Sequence, residues 1–248
     1  MVGKGGSSLY LTMAVFNIYK PAGLTPLEAL EKLRVIKPEL IREKMTYAGR
    51  LDPLAEGVML ILSGEDIGRK DEFLNLPKTY EVEVLFGVST DTGDVLGLVT
   101  KLGPRAINEE EISFAVEALV GKKDQTAPRY SAPGLDGKEF TKEVEVFSIE
   151  VGGLTKILAG DLLVDVIKRV REVSGDFRQA KITDCWQKYL ANSNQIFSVI
   201  KLTILASSGT YMRLLAEELG WALNMPALAY KIRRTKVGEH LIADAVVL

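Results

Sequence analysis

Gly49-Arg50-Leu51-Asp52-Pro53-Leu54-Ala55-Glu56-Gly57-Val58-Met59-Leu60-Ile61-Leu62 places a carboxylate in a proline-stiffened turn directly ahead of an unbroken apolar run. Asp-Pro is a turn pair because proline fixes φ and offers no N–H to a ladder. Residues 58–62 form too short a run for a helix, so they read as a strand buried on both faces. Asp52, on a rigid turn at the lip of that strand, is a candidate nucleophile.

Working outward, residues 14–19 have strand character and Lys20-Pro21-Ala22-Gly23 closes them as a turn. Thr25-Pro26-Leu27-Glu28 is a capping box with proline at the first helical position, which predicts a helix to about residue 36. Its inward positions would be Leu27, Leu30 and Leu33, and Pro38 stops it. Tyr80, Val82, Val84 and Phe86 alternate with Thr79, Glu81, Glu83 and Leu85, the period of a half-buried strand ending at Gly87. Asn108 with Glu111 opens a second capped helix, carrying Ile112, Ala115, Val116 and Leu119 on one face and ending at Gly121. Residues 144–151 and 196–205 are further strands. Between them, Leu163, Val166, Ile167 and Val170, then Ile182, Trp186 and Tyr189, recur at helical spacing either side of Ser174-Gly175-Asp176. That segment reads as a helical pair, an insertion over about 156–192. A last helix is expected from Thr210 to Leu219, with Gly220 as its stop. Strands and helices mix without strict alternation, so the fold class is α+β.

Composition narrows the chemistry. At 248 residues, 47% hydrophobic and 26% charged, the chain has the makings of one globular domain, here residues 13–248 behind a Gly/Ser-rich tail at 1–12 expected to be flexible. Cys185 and His240 are the single cysteine and histidine, so disulfides, Cys/His zinc sites and Ser-His-Asp or Cys-His catalysis lack their partners. Carboxylate, Arg, Lys, Tyr and hydroxyl groups remain, and neither a metal nor a cofactor is expected. No apolar run approaches a membrane span and the N-terminus is too polar for a signal peptide, which points to the cytoplasm. The net charge of −2 speaks against a chain coated in nucleic acid but leaves room for local basic patches such as Lys231, Arg233, Arg234 and Lys236.

The order of motifs resembles the TruB-type tRNA pseudouridine synthases over most of residues 14–245. The resemblance rests on Asn17-Ile18-Tyr19-Lys20-Pro21-Ala22-Gly23-Leu24-Thr25, the run from Gly49 to Gly57, and Lys78-Thr79-Tyr80-Glu81-Val82. It continues through Gln125 with Pro128-Arg129-Tyr130-Ser131-Ala132, then Ser208-Gly209-Thr210-Tyr211-Met212-Arg213, then Arg233-Arg234-Thr235 with Gly238. Gly-Arg-Leu-Asp alone suits ribosomal pseudouridine synthases equally, whereas Asp-Pro-Leu-Ala-x-Gly and Gly-Thr-Tyr-x-Arg favour the tRNA branch.

The resemblance implies a pseudouridine synthase fold, a central mixed and mainly antiparallel sheet flanked by helices, and isomerisation of the T-loop uridine of tRNA after base flipping. It makes Asp52 the nucleophile and Arg213 the guanidinium that pairs with and aims it. Tyr80 becomes the residue that stacks on the flipped uracil and assists proton transfer, although its period with Val82, Val84 and Phe86 equally suits a core tyrosine. Lys20 would support the turn or stand in solvent, and Ile232 would border the pocket or belong to ordinary core. Tyr211, Arg233 and Arg234 fall in substrate-binding motifs. Tyr47 stands where many members carry histidine and Arg50 where they carry a small residue; both are expected at the RNA contact, with Tyr47 unable to become cationic near neutral pH. Pro26 replaces a usual serine and Gly134 a usual lysine.

The chain stops at Leu248, about where the family's catalytic domain finishes, so the resemblance leads one to expect no C-terminal RNA-binding PUA domain. The expected partner is the tRNA T-arm, with no membrane and no obligatory protein partner. Lys168, Arg169, Arg171, Arg178, Lys181 and Lys188 of the helical pair would then line phosphates; a purely structural hairpin is the alternative. Two other functions fit the same residues: a non-catalytic module that binds tRNA and helps it fold, and a pseudouridine synthase for another RNA.

Overall fold

The computed structural model describes residues 14–128, 130–131 and 140–248; the N-terminal tail, Arg129 and the Ala132 and Gly134 positions of the motif lie outside the described residues. In chain order the elements are β1 (Ala14–Lys20), α1 (Pro26–Ile36), β2 (Met45–Ala48), β3 (Glu56–Ser63), α2 (Lys70–Asn75), β4 (Lys78–Phe86), β5 (Val88–Thr90) and β6 (Val99–Leu102). There follow α3 (Glu109–Glu117), β7 (Gly121–Thr126), β8 (Thr141–Leu158), α4 (Ala159–Glu172), α5 (Gln179–Leu190), β9 (Ile196–Ala206), α6 (Met212–Ala222), β10 (Ala227–Val237), β11 (His240–Leu241) and β12 (Val246–Val247).

One sheet carries the architecture, in the order β12-β1-β3-β10-β4-β9-β8-β7, with β2 alongside β3 and β11 alongside β10. β12 with β1 and β10 with β3 are parallel pairs; the other neighbours run antiparallel. The sheet is therefore mixed and mainly antiparallel, within an α+β fold. β5 and β6 form a separate two-stranded ribbon. Among the described residues no helix is long and apolar enough to cross a membrane.

The turn-plus-strand reading around Asp52 is seen directly. Val58, Met59, Leu60, Ile61 and Leu62 of β3 are fully buried. Met59 and Ile61 pack towards α1 with Ile18, Leu30 and Leu33, while Val58, Leu60 and Leu62 pack with Ala48 and Val237 on the other face. β4 shows the expected alternation as far as Val84, with Tyr80, Val82, Val84 and Phe86 facing α3 and α6 through Ile112, Leu215 and Leu219, whereas Leu85, expected on the open face, is buried under the helical pair. Both capping boxes are formed, Thr25 with Glu28 and Asn108 with Glu111.

Four further expectations are corrected. Leu27 is 61% exposed rather than inward, and Ala29 takes its place beside Leu30 and Leu33 in the core. Tyr189 points outward, leaving Ile182, Trp186 and Leu190 as the buried stripe of α5. The third concerns the insertion: β8 runs on through Leu158, paired with β9 to the end, so the inserted helices begin at Ala159. Finally, Gly220 does not stop α6 but lies inside it; a Cβ there would stand 2.7 Å from the Ala227 Cβ and the Met225 carbonyl oxygen. The glycine lets the helix lie close to β10, and the chain turns instead at Asn224, whose φ is +52°.

The helical pair packs as a unit. Leu162, Val166, Val170, Ile182 and Trp186 share one apolar cluster with Val95, Leu96, Val99, Phe197 and Leu228. α4 and α5 thus sit on the segment between β5 and β6 as much as on the sheet.

Candidate active site

Two buried cations shape the loop that presents Asp52. Arg234, 1% exposed, donates from Nε to the Val58 carbonyl at 2.7 Å, from Nη1 to the Arg50 carbonyl at 3.2 Å and from Nη2 to the Gly49 carbonyl at 3.3 Å. Lys20, fully buried, donates from Nζ to the carbonyls of Leu24 (2.7 Å), Pro21 (2.9 Å) and Pro53 (3.2 Å). Burial pulls the Lys20 ammonium down to about 8, against the pull of Asp52 in the opposite direction. The loop closes on itself through Ala55 N–H to the Asp52 carbonyl, 3.0 Å. Gly57 is obligatory here: its φ is +111° and a Cβ would lie 2.1 Å from the Arg234 carbonyl oxygen, where β3 meets β10.

Arg213 meets the carboxylate from the first turn of α6. Its side chain is 3% exposed, with Nε 2.8 Å from Asp52 Oδ2 and Nη1 donating to the Thr92 carbonyl at 2.7 Å. Asp94 Oδ2 stands 4.0 Å from the same Nε. Burial draws on the Arg213 charge, but Asp52 and Asp94 outweigh it and hold the guanidinium above its ordinary value. Burial likewise pushes the Asp94 carboxyl up, with Arg213 pulling it back. Asp94 is fixed by Thr92 Oγ1 donating at 2.7 Å and the Leu96 N–H at 2.9 Å. Arg213 Nε and Nη2 are both buried without an aligned hydrogen bond among the described residues, so the contact of Nε with Asp52 is an ion pair by distance. Asp52 itself keeps 38% of its side chain open.

That opening faces a cavity of about 760 Å³, within the range of small-molecule and base pockets. Tyr47, Arg50, Asp52, Tyr80, Tyr211, Arg213, Ile232 and Arg234 all line it. Tyr80 and Ile232 reach it from β4 and β10 while remaining part of the core beneath α6. The Arg50 guanidinium sits over the Tyr47 ring at 5.7 Å. Tyr211 donates its backbone N–H to Gln125 Oε1 at 2.8 Å, which fixes the approach to α6. Lys20 lies behind the Asp52 loop rather than in the cavity wall. Arg233 faces away, since side chains alternate along β10: it is 45% exposed on the opposite face of the sheet, 3.7 Å from Glu56.

Four neighbours were not singled out from sequence. Thr92 and Asp94 come from Thr90-Asp91-Thr92-Gly93-Asp94, a carboxylate-rich turn directly after a strand, which was the available signal. Lys78 shares the inward period of Tyr80; its Nζ donates to the Leu74 and Leu76 carbonyls. Burial first, then Arg234 and Lys142, lowers it to about 7. Lys142 reaches the mouth of the cavity from β8, donating to the Ser208 carbonyl at 3.0 Å. Of the helical-pair cations, Arg169 is tied to the Tyr230 carbonyl (2.8 Å) and Asp165 (3.5 Å), and Arg178 to Asp91 (2.9 Å).

A family model described as TruB family pseudouridylate synthase (N terminal domain) matches residues 37–146. The chain is 31% identical over 234 residues to tRNA pseudouridine synthase B of Azoarcus sp., covering 94% of this chain and 68% of that protein. It is 32% identical over 233 residues to the protein of that name from Ectopseudomonas mendocina, covering 92% and 65%. Among solved structures, a chain of a Cbf5-Nop10-Gar1 complex superposes with a TM-score of 0.61 at 20% identity, over 94% of this chain and 52% of that one. A chain of an H/ACA RNP bound to a substrate RNA containing 2'-deoxyuridine gives 0.58 at 18%, over 94% and 50%. The chain thus spans about two thirds of the length of these relatives and about half that of the solved chains, whose likeness concerns the fold. Identity near one third, sustained across nearly the whole length, says more, and by it the chain belongs to the TruB family of pseudouridine synthases.

Proposed function

We propose that this protein isomerises the T-loop uridine of tRNA to pseudouridine, with Asp52 as covalent nucleophile towards a base extruded into the cavity. The observation that carries the reading is the Asp52–Arg213 ion pair at 2.8 Å, opening onto a cavity with Tyr80 in its wall. A carboxylate aimed by a buried guanidinium can form an ester-like adduct and release it again. Asp52 attacks the nucleoside at base or sugar, the bond from C1′ to N1 breaks, and the uracil turns and rejoins C1′ through C5. The proton lost from C5 is matched by one gained at N1, so the product is an isomer of the substrate. Tyr80, in the cavity wall, offers an aromatic face that recovers part of the stacking lost on extrusion, and we assign its hydroxyl the role of assisting the proton transfer. Arg50 and Lys142, at the mouth, suit the phosphates flanking the flipped nucleotide.

The test is Asp52→Asn, which keeps shape and hydrogen-bonding capacity but removes the nucleophile. Pseudouridine formation in a T-arm stem-loop should fall below detection while the Kd for that RNA changes by no more than about threefold, since phosphate contacts dominate affinity. A variant that still forms pseudouridine at the parent rate rejects the mechanism. A parent that binds tRNA without forming pseudouridine favours the folding-module reading instead.

A further inference from the structure

The helical pair touches the ion pair's surroundings at three separate points, two of them from the short connection between α4 and α5. Ser174, just past α4, donates its backbone N–H to the Gly23 carbonyl (2.9 Å), and Gly23 donates in turn to the Pro53 carbonyl (2.9 Å), next to Asp52. Gly23 is held to this approach: its φ is +92°, and a Cβ would lie 2.7 Å from the Glu172 carbonyl oxygen. Four residues on from Ser174, Arg178 donates from Nη1 to Asp91 Oδ2 at 2.9 Å and from Nη2 to Asp91 Oδ1 at 3.4 Å. Asp91 Oδ1 also accepts the Leu98 N–H at 2.7 Å, closing the loop that carries Thr92 and Asp94. Those two residues hold Arg213. Farther along α5, Trp186 Nε1 donates to the Gly97 carbonyl at 3.1 Å, so the same loop is gripped at its other end.

Arg178 occupies this position at a conformational cost. It precedes α5 with φ +63° and ψ +26°, left-handed backbone that a non-glycine residue adopts where its surroundings demand it. Its guanidinium, besides bridging to Asp91, lies 4.6 Å over the Tyr130 ring. A cation committed to a bidentate contact and a ring face is poorly placed to serve a phosphate.

We infer that the inserted helical pair is a brace for the catalytic ion pair, with Arg178 the positioning residue that fixes the 91–98 loop and, through Thr92 and Asp94, Arg213 against Asp52. This rests on the functional reading above. Arg178 touches neither substrate nor reacting atoms; it acts through the loop.

The test compares Arg178→Ala, Arg178→Lys and Arg178→Gly in the full chain. Glycine removes the guanidinium while relieving the left-handed backbone, so a folded variant without the contact is in hand even if alanine misfolds. Under saturating T-arm RNA, kcat should fall about tenfold for the alanine and glycine variants with KM unchanged, as expected of a small misplacement of an aligned group, and Lys should recover part of it. Asp91→Asn should lower kcat similarly, and the double variant should cost no more than either single one. Hydrogen exchange should rise in residues 91–98 and stay unchanged in β3. A raised KM with a flatter salt dependence and intact kcat would assign Arg178 to RNA phosphate and overturn the inference, as would unchanged exchange at 91–98. A parent chain inert towards tRNA would sink the functional reading alone, because the exchange measurement judges the brace without turnover.

Discussion

Replacing Arg234 by Met separates the support of the Asp52 loop from its chemistry. Met fills most of the volume but cannot donate, so the carbonyls of Val58, Arg50 and Gly49 lose their partner together. The three losses are unequal. Val58 is fully buried, its carbonyl bond is the short one at 2.7 Å, and no water can replace the guanidinium there. A hydrogen bond from a charged donor to such an acceptor is worth about 1.5–3 kcal/mol. The Arg50 and Gly49 carbonyls sit at 3.2 and 3.3 Å beside the open cavity, where water substitutes, and contribute about 0.5 kcal/mol each at the low end for net hydrogen bonds. Removing a buried charge offsets part of this, leaving a destabilisation of about 2–3 kcal/mol. In a domain of this size that lowers Tm by about 4–12 °C and shifts the urea midpoint at constant m. Activity should fall further than stability does: at 25 °C, where the variant remains folded, kcat should drop about tenfold because the loop that aims Asp52 is no longer fixed on its inner side. An Arg234→Met protein with the parent's urea midpoint would refute the account of the loop, whatever its activity.

Gly57→Ala should be the more damaging change, since its methyl would lie 2.1 Å from a backbone oxygen that β3 and β10 hold in place; an overpacking loss of about 3 kcal/mol or an insoluble product is expected, and a thermal melt matching the parent's contradicts it. Lys78 gives a pH signature. Its folded value of about 7 lies below the ordinary lysine value, so between the two the unfolded chain binds more protons, and this group's contribution to stability grows as pH rises from about 7 to 10 and is lost as pH falls through 7. Urea midpoints measured across that window should climb less steeply in Lys78→Met than in the parent; parallel slopes would show that Lys78 titrates as it does in solvent.

Much of this site can be read from sequence because its parts obey local rules. Asp52 stands out through Asp-Pro and the apolar run behind it, and the period of β4 puts Tyr80 on the same face as Val82 and Val84. What local rules miss depends on where distant strands come together. Gly57 looks like ordinary turn chemistry until Arg234 is found pressed against it across a parallel pair. Arg233 and Arg234 are indistinguishable as letters, yet the alternation of β10 sends one to solvent beside Glu56 and the other into the core. Gly220 fits the pattern of a helix stop because the close approach of Ala227 cannot be seen from one strand alone. Asp94 is hidden for a related reason: a turn carboxylate becomes part of a site only when α6 delivers Arg213 to it.

The distribution of charge around Asp52 suits the nucleophilic role proposed for it. Lys20, Lys78, Arg213 and Arg234 are all buried within the same region, an arrangement that would ordinarily smother an anion in direct ion pairs. Among these four, Arg213 alone lies within 4.0 Å of Asp52. The other three give their hydrogen bonds to backbone carbonyls, so they are not competing ligands; Lys20 and Arg234 scaffold the Asp52 loop, and the Lys20 charge is felt at Asp52 without a direct bond. A full set of direct donors would stabilise the carboxylate and blunt its attack, whereas a field leaves its lone pairs available. Asp94 extends the same balance one step outward, sharing the guanidinium of Arg213 so that Asp52 does not receive the whole of it. The geometry therefore favours a carboxylate that stays near its partner but is not saturated by it, the condition a nucleophile must meet to form an adduct and later let it go.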